Sequence, residues 1–426
     1  MKKSIPSLCG IGGLGALLLC ACSTGGGGGL PIPDAALPAT DGSTPGSDLA
    51  RPCLDCMACT RDAECTASAP FCDTSRGRCI RPTGSGRFQS GGTITAGGAP
   101  YYVAAADFNR DGKADLVVAN NQSSSVSVLL GNGAGGFAAP VNFSVGNKPA
   151  FVATADLNGD RLLDLVVGYI DLTVISVLLG DGAGRFGAPK DFAVGTGPRG
   201  AALGDFNADQ KPDLAAVNFA DGSVSVLLGD GAGRFGTARS VPVGTDPRAV
   251  AVGDVDGDGK QDLLVANNGG ATVSVLLGNG AGGFTAAPAL SSGGAPRALA
   301  VVDVNRDGRL DVLSANALSN SVSVFLRSAG SGFSPARNIA TGTAPVGLVV
   351  ADFDGNGLLD LATANAQSND VSVLSGDGAG GFGASSVYRV GMLPRSMAMA
   401  DVNGDTRLDL VVTNDDGNNL SILINQ

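Results

Sequence analysis

The 426-residue chain is 44% hydrophobic and 16% charged, carries a net charge of −11, and contains no His and no Trp. Of its 39 acidic residues all but Glu64 are Asp, which excludes mechanisms that rest on an imidazole base, a His metal ligand or a Glu pair. The acidic balance also disfavours nucleic acid, whose phosphates need a basic stripe, and suits hard cations instead.

Met1, Lys2 and Lys3 give a basic start, and the apolar run over residues 8–19 is too short to cross ~30 Å of hydrocarbon. It reads as a signal peptide over residues 1–21. Leu19-Cys20-Ala21-Cys22-Ser23 resembles a bacterial lipobox with Cys22 as the lipidated new N-terminus; Cys20 follows the bulky Leu19 and fits less well. The expectation is an exported bacterial lipoprotein at the outer membrane or cell surface, touching the membrane through its lipid anchor only. Residues 22–50 are rich in Gly, Pro and Ser, cannot bury enough side chain to offset their ordering entropy, and form a tether of about 30 Å.

A cysteine-rich module occupies residues 51–82. Cys53, Cys56, Cys59, Cys65, Cys72 and Cys79 are even in number and lie in an exported segment, which implies three disulfides of open connectivity. An iron–sulfur run is disfavoured because the fourth Cys comes too late and the compartment is oxidising.

The rest is periodic. Asp-rich segments begin at Asp107, Asp156, Asp205, Asp254, Asp303, Asp352 and Asp401, 49 residues apart. Phe88, Phe137, Phe186, Phe235, Phe284, Phe333 and Phe382 recur with the same period, as do Pro100, Pro149, Pro198, Pro247, Pro296, Pro345 and Pro394. Each repeat contains four short runs rich in Val, Leu and Ala, separated by Gly and Asn turns; in the first repeat they cover residues 102–106, 115–119, 126–130 and 137–145. Four strands per 49-residue unit, seven times, predict an all-β fold, a seven-bladed β-propeller over residues 86–426. The last repeat stops after its third strand, so the run over residues 87–96 is expected to supply the missing strand and close the ring without leaving a sheet edge.

The loop after each first strand follows the pattern D-x-[DN]-x-[DN]-G-x-x-D, as in Asp254, Asp256, Asp258, Gly259 and Asp262, with Gly permitting the turn. Its oxygen-bearing positions are Asp107, Asn109, Asp111 and Asp115 in the first repeat, Asp156, Asn158, Asp160 and Asp164 in the second, and Asp205, Asn207, Asp209 and Asp213 in the third. The fourth and fifth offer Asp254, Asp256, Asp258 and Asp262, then Asp303, Asn305, Asp307 and Asp311; the sixth and seventh offer Asp352, Asp354, Asn356 and Asp360, then Asp401, Asn403, Asp405 and Asp409. Short carboxylates on alternate residues of a tight loop converge on one point, and Ca2+ takes six to eight oxygens at ~2.3–2.6 Å; a backbone carbonyl at position seven would add another. An EF-hand is excluded, since it ends on a Glu at position twelve. These loops hold 22 of the 39 acidic residues, and up to seven Ca2+ ions would bring the net charge to +3. Arg161, Gln210 and Thr406 replace the Gly at position six, and Asn356 lowers the charge of the sixth loop, so those sites are expected to be weaker.

From about residue 87 to 426 these motifs resemble the FG-GAP/VCBS repeat family, whose members resemble the seven-bladed propeller heading integrin α subunits. The resemblance implies calcium in the loops and a ligand-binding or adhesive surface, with the ligand unspecified.

Strand alternation puts the Asp loops on one face and the proline-led start of each first strand on the other. The residues after these prolines are Tyr101, Ala150, Arg199, Arg248, Arg297, Val346 and Arg395. If the first strand is innermost they ring the channel mouth, where Tyr101 and the four arginines form a candidate clamp for carboxylate or sulfate groups of a polysaccharide; pairing of each Arg with a neighbouring blade is the bland alternative. Asn120, Asn218, Asn267, Asn316, Asn365 and Asn414 share that face, with Tyr169 as the exception, and side-chain bonds that hold turns explain those Asn better than recognition does. The expected function is noncatalytic: a calcium-binding surface lipoprotein whose propeller binds a glycan or protein ligand. The alternatives are a lyase-like polysaccharide-processing enzyme, with Tyr101 or Tyr102 as base, and a purely structural envelope component.

Overall fold

The computed structural model describes residues 84–330 and 332–426, together with the backbone of two short strands, Phe71–Asp73 and Arg78–Ile80. The expected signal peptide, Cys22, the tether, and Cys53, Cys56, Cys59 and Cys65 lie outside the described residues. The two short strands pair antiparallel, with Cys72 opposite Cys79 in the register.

The repeats fold as seven four-stranded antiparallel sheets. In blade one the strands are Pro100–Ala106, Asp115–Asn120, Ser125–Leu129 and Val141–Ser144, in that order from channel to rim. The first strands of successive blades pack against one another around a closed ring, so the first strand is innermost. The second strands, such as Asp115–Asn120 (DLVVAN) and Asp262–Asn267 (DLLVAN), are buried along their whole length because neighbouring blades cover both of their faces. That is why they read as continuous apolar runs and not as alternation. The fourth strands are mostly exposed and carry the polar rim; in blades one, two, three, five and six a single residue of four is half-buried.

The core is divided among the blade interfaces. One cluster joins blades one, two and three through Val117, Phe151, Leu165 and Leu203, and further clusters fill the remaining interfaces up to the seventh and first, where Leu116, Leu129, Leu420 and Ile422 meet. Each fully buried Val or Leu contributes about 1.5–3 kcal/mol relative to exposure.

Closure follows the expected route. Phe88–Thr95 pairs antiparallel with the last strand, Asn419–Asn425, as the outer strand of blade seven. Phe88 meets Phe353 of blade six edge to face at 5.6 Å, as Phe186 of blade two meets Phe108 of blade one at 5.8 Å. Hydrogen bonds from Ser85 N to Gln426 O (2.6 Å) and from Gln426 N to Arg87 O (2.9 Å) fasten the two ends of the propeller together.

The fourth strand differs from expectation. In blades one, two, three, five and six the recurrent Phe makes only a single bridge, as between Gly131 and Phe137, and the strand proper begins later, at Val141 in blade one. Pro140, Pro189 and Pro335 interrupt the segment in blades one, two and five because proline has no N–H for the ladder. Blades three and six break at the same place without such a proline, and nothing in their sequence explains it. In blade four the strand runs unbroken from Phe284 to Ser291 despite Pro288, which falls in the register shift opposite Val273 to Val275 and so owes no N–H to the ladder.

Candidate cation loops and the channel mouth

The register fixes which groups share a face. Pro100 pairs with Asn120 at one end of the first hairpin and Ala106 with Asp115 at the other, so the Asp loops and the proline-led positions lie on opposite faces.

Each Asp loop is organised by its own side chains. Asp107 accepts the N–H groups of Asp111 (3.1 Å) and Gly112 (2.8 Å), Asn109 that of Asp111 (3.0 Å), and Asp111 that of Lys113 (3.0 Å). The turn needs left-handed backbone at position six, supplied by Gly112, Gly259, Gly308 and Gly357; Arg161, Gln210 and Thr406 adopt it too, at φ of 67°, 65° and 73°. A β-branched Thr there is strained.

Position nine has a second task that the loop pattern did not disclose. Asp115 is fully buried; its Oδ2 accepts the N–H of Phe108 (2.9 Å) and its Oδ1 that of Gly131 (2.8 Å), tying the loop to the end of the third strand. Asp164, Asp213, Asp262, Asp311, Asp360 and Asp409 repeat the clamp; in blade seven the second donor is Asn425. Turn and clamp chemistry together thus account for Asp at position nine, which the turn alone did not. Burial pushes the carboxyls of the first six clamps up to about 6 and that of Asp409 to about 7, against the pull of the two N–H donors, and neighbouring loop carboxylates add to the rise.

Two loops gather carboxylates tightly enough for a cation. Oxygens of Asp254, Asp256 and Asp262, and likewise of Asp352, Asp354 and Asp360, lie within 4.8 Å of one another. These are the two loops with Asp at position three. In the other five, Asn stands there and no such three-carboxylate group forms among the described residues. The donor set is all oxygen, which fits a hard divalent ion, and each clamped oxygen keeps a lone pair free of its single N–H. Asp258 stands outside its cluster and pairs with Lys260 at 2.6 Å, which holds its carboxyl below the ordinary range. Asp111, Asp209, Asp307 and Asp405 likewise pair with Lys113, Lys211, Arg309 and Arg407, at 3.3, 3.6, 3.1 and 3.5 Å. The cation at position seven, beside the backbone carbonyl expected to ligate, is a competitor that the sequence reading passed over.

On the other face Tyr101, Arg199, Arg248, Arg297 and Arg395 converge on one cavity of about 50 Å³, with Tyr102, Ala150, Val346 and Ser396 completing its lining. Blades three, four and five supply three successive arginines. Arg248 forms an ion pair with Asp246 at 2.6 Å and Arg395 one with Asp415 at 2.9 Å. Arg199 and Arg248 stack on Phe219, at 4.0 and 4.5 Å to the ring centre, and Arg395 lies over Tyr101 at 5.3 Å. Arg199 and Arg297 have no carboxylate within ion-pair distance among the described residues; burial, and then the repulsion of Arg248, holds both guanidinium pKa values down. Asp246, Asp415 and Phe219 were missed by sequence reasoning. They sit just before the repeat proline or just after the second-strand Asn, where the seven repeats differ most, and that irregularity was the available signal.

The conserved-looking asparagines of this face are structural. Asn120 is fully buried; its Nδ2 donates to Ser127 Oγ (2.6 Å) and its Oδ1 accepts Gly97 N–H (3.1 Å). Tyr169 takes the same place in blade two, buried, donating from its hydroxyl to Ser176 at 2.6 Å. It opens no catalytic pocket.

The profile of the FG-GAP-like repeat matches residues 71–118, 107–167, 205–265, 254–314, 303–363 and 352–412. A search of curated proteins finds no match to the sequence. Among solved structures, BBS1N in complex with ARL6DN is similar over 82% of this chain and 98% of its own, with 14% identity and a TM-score of 0.58. An Agrocybe aegerita lectin described as recognising non-reducing terminal N-acetylglucosamine aligns over 72% of this chain and 81% of its own, at 21% identity and a TM-score of 0.50. Virginiamycin B lyase from Staphylococcus aureus covers 79% of this chain and 99% of its own, at 12% identity and a TM-score of 0.56. Binding proteins and an enzyme share the fold, so these likenesses establish architecture alone.

Proposed function

Because the chain belongs to the FG-GAP-like repeat family, we propose that it is a noncatalytic, calcium-stabilised surface lipoprotein whose propeller binds an acidic glycan at the channel mouth. One observation carries this reading: four arginines and Tyr101 converge on a single cavity on the face opposite the Asp loops. Arginine suits the role because its planar fork takes carboxylate or sulfate through two parallel bonds and stays charged at any physiological pH. Lipidation at Cys22 would hold the propeller at the outer membrane or cell surface.

Calcium would be held first by Asp254, Asp256 and Asp262 and by Asp352, Asp354 and Asp360. Bound there, it supplies positive charge that lets buried carboxylates remain ionised, and so stiffens the face that braces the blades. The mouth faces away from these loops, so the ion acts on binding through stability and not through contact. The absence of His, the single Glu outside the repeats and the structural placement of Tyr169 favour binding over catalysis.

The test is binding of the full-length protein to immobilised polygalacturonate, with calcium and with chelator, beside a variant with all four arginines changed to Ala. Binding that the variant loses supports the reading. Silence towards every acidic glycan, or binding that the variant keeps, refutes it.

A further inference from the structure

The four arginines of the mouth are not equivalent. Asp246 occupies Arg248 through a second contact as well, from Nη2 at 3.1 Å, and Asp415 occupies Arg395. Arg297 has a neutral partner: in the orientation that satisfies both of its groups, the Asn268 amide accepts Arg297 Nε–H at 3.2 Å and donates to Asp246 at 2.9 Å. Arg199 has, among the described residues, the Phe219 ring and no carboxylate; its Nε is buried without a hydrogen-bond partner, as is that of Arg248, whose charge Asp246 nonetheless meets at 2.6 Å. Among the described residues, two positive charges are therefore left without a carboxylate at the edge of one cavity, and the desolvation and the repulsion of Arg248 that depress both guanidiniums are what a bound anion would offset. The cavity, about 50 Å³, has room for a carboxylate-sized group or a few waters.

Resting on the proposed acidic-glycan reading, we infer that the mouth takes a single sugar carboxylate end-on, gripped by Arg199 and Arg297, while Arg248 and Arg395 are held back by Asp246 and Asp415. A polymer lying across the face would place several charges along it and leave the cavity unused. A sugar acid fits better than a peptide terminus, because its hydroxyls find polar partners beside the carboxylate in Ser396 and Asn268, while the apolar lining, Ala150, Val346 and the two tyrosines, leaves no pocket sized for a side chain.

Calorimetry on the full-length protein with free galacturonic acid, and with galactose as the neutral control, tests this. Galacturonic acid is expected to bind and galactose not. R199A and R297A should each weaken binding about tenfold or more, as expected for losing a charge-assisted pair, and R199K should fall between R199A and the native chain because it keeps the charge and loses the fork. D246N should tighten binding several-fold by releasing Arg248 into the mouth, a gain that a merely structural role for Asp246 would not produce. If polygalacturonate binds through the arginines but galacturonic acid does not, the end-on inference falls and the broader reading stands. If neither binds, both fall. A tenfold preference for acetyl-dialanine over galacturonic acid would reassign the ligand to a peptide carboxylate and overturn the sugar assignment.

Discussion

The buried clamp at position nine makes the sharpest prediction about this propeller. Asp262 is fully buried and accepts the N–H groups of Val255 (2.9 Å) and Gly278 (2.8 Å). Changing it to Ala leaves both donors buried without an acceptor, at about 1–3 kcal/mol each, so a total of about 2–6 kcal/mol is expected. The carboxylate is itself uncomfortable, its pKa raised by burial to about 6, so losing its charge offsets part of that and places the result in the lower half of the range. D262N keeps one acceptor and turns an amide N–H2 toward the other donor, so it should cost about half as much. At roughly 2 °C per kcal/mol for a domain of this size, the full-length D262A variant should melt about 4–8 °C lower in chelator. D258A is the control: it removes an exposed pair with Lys260 and one exposed turn bond from Lys260 N–H, and should lower the metal-free melting temperature far less than D262A. Differential scanning calorimetry decides the matter, with amide exchange at Gly278 reporting the local bond. If D262A melts with the native protein in chelator, the clamp holds nothing and the argument for position nine is wrong.

Further outcomes follow from the same geometry. The clamp carboxyls have folded pKa values of about 6 to 7 against an ordinary 3.8, so the folded state binds protons more tightly. The metal-free melting temperature should therefore rise as pH falls from 7.5 to 5.5, and calcium, which needs the ionised form, should flatten or reverse the slope; a metal-free melting temperature that falls over this window contradicts the placement of these groups. Metal analysis of the full-length protein should find calcium, and D256N with D354N should remove the tightest sites, since those residues complete the two carboxylate clusters. T406G should stabilise by about 0.5–1 kcal/mol, because Thr406 is held at φ 73° and its N–H bond to Asp401 survives; denaturant midpoints read the change. F88A should cost about 3–5 kcal/mol by emptying the slot beside Phe353 that closes the ring, seen as a lower melting temperature with exposed blade-seven edges associating on size exclusion.

Much of this architecture is written along the chain. Blade number, closure by the run over residues 87–96 and the opposite faces of the Asp loops and the arginines follow from a 49-residue period and from strand alternation, which are local and repeated seven times; that the proline-led strand is innermost was a condition the structure met. Tertiary structure decided what the repeat average hides. Asp115 and its six counterparts serve as clamps because the third strand returns beside the loop, a contact sixteen residues away that no loop motif encodes. The arginine mouth was visible as a set of positions, but the division between Arg248 and Arg395, which are paired, and Arg199 and Arg297, which are not, comes from Asp246, Asp415 and Phe219. Both ion pairs are local in the chain, Asp246 two residues before Arg248 and Asp415 twenty after Arg395; what only closure of the ring decides is that the paired and unpaired arginines of different blades meet at one cavity, where charges act on one another through space whatever their separation along the chain.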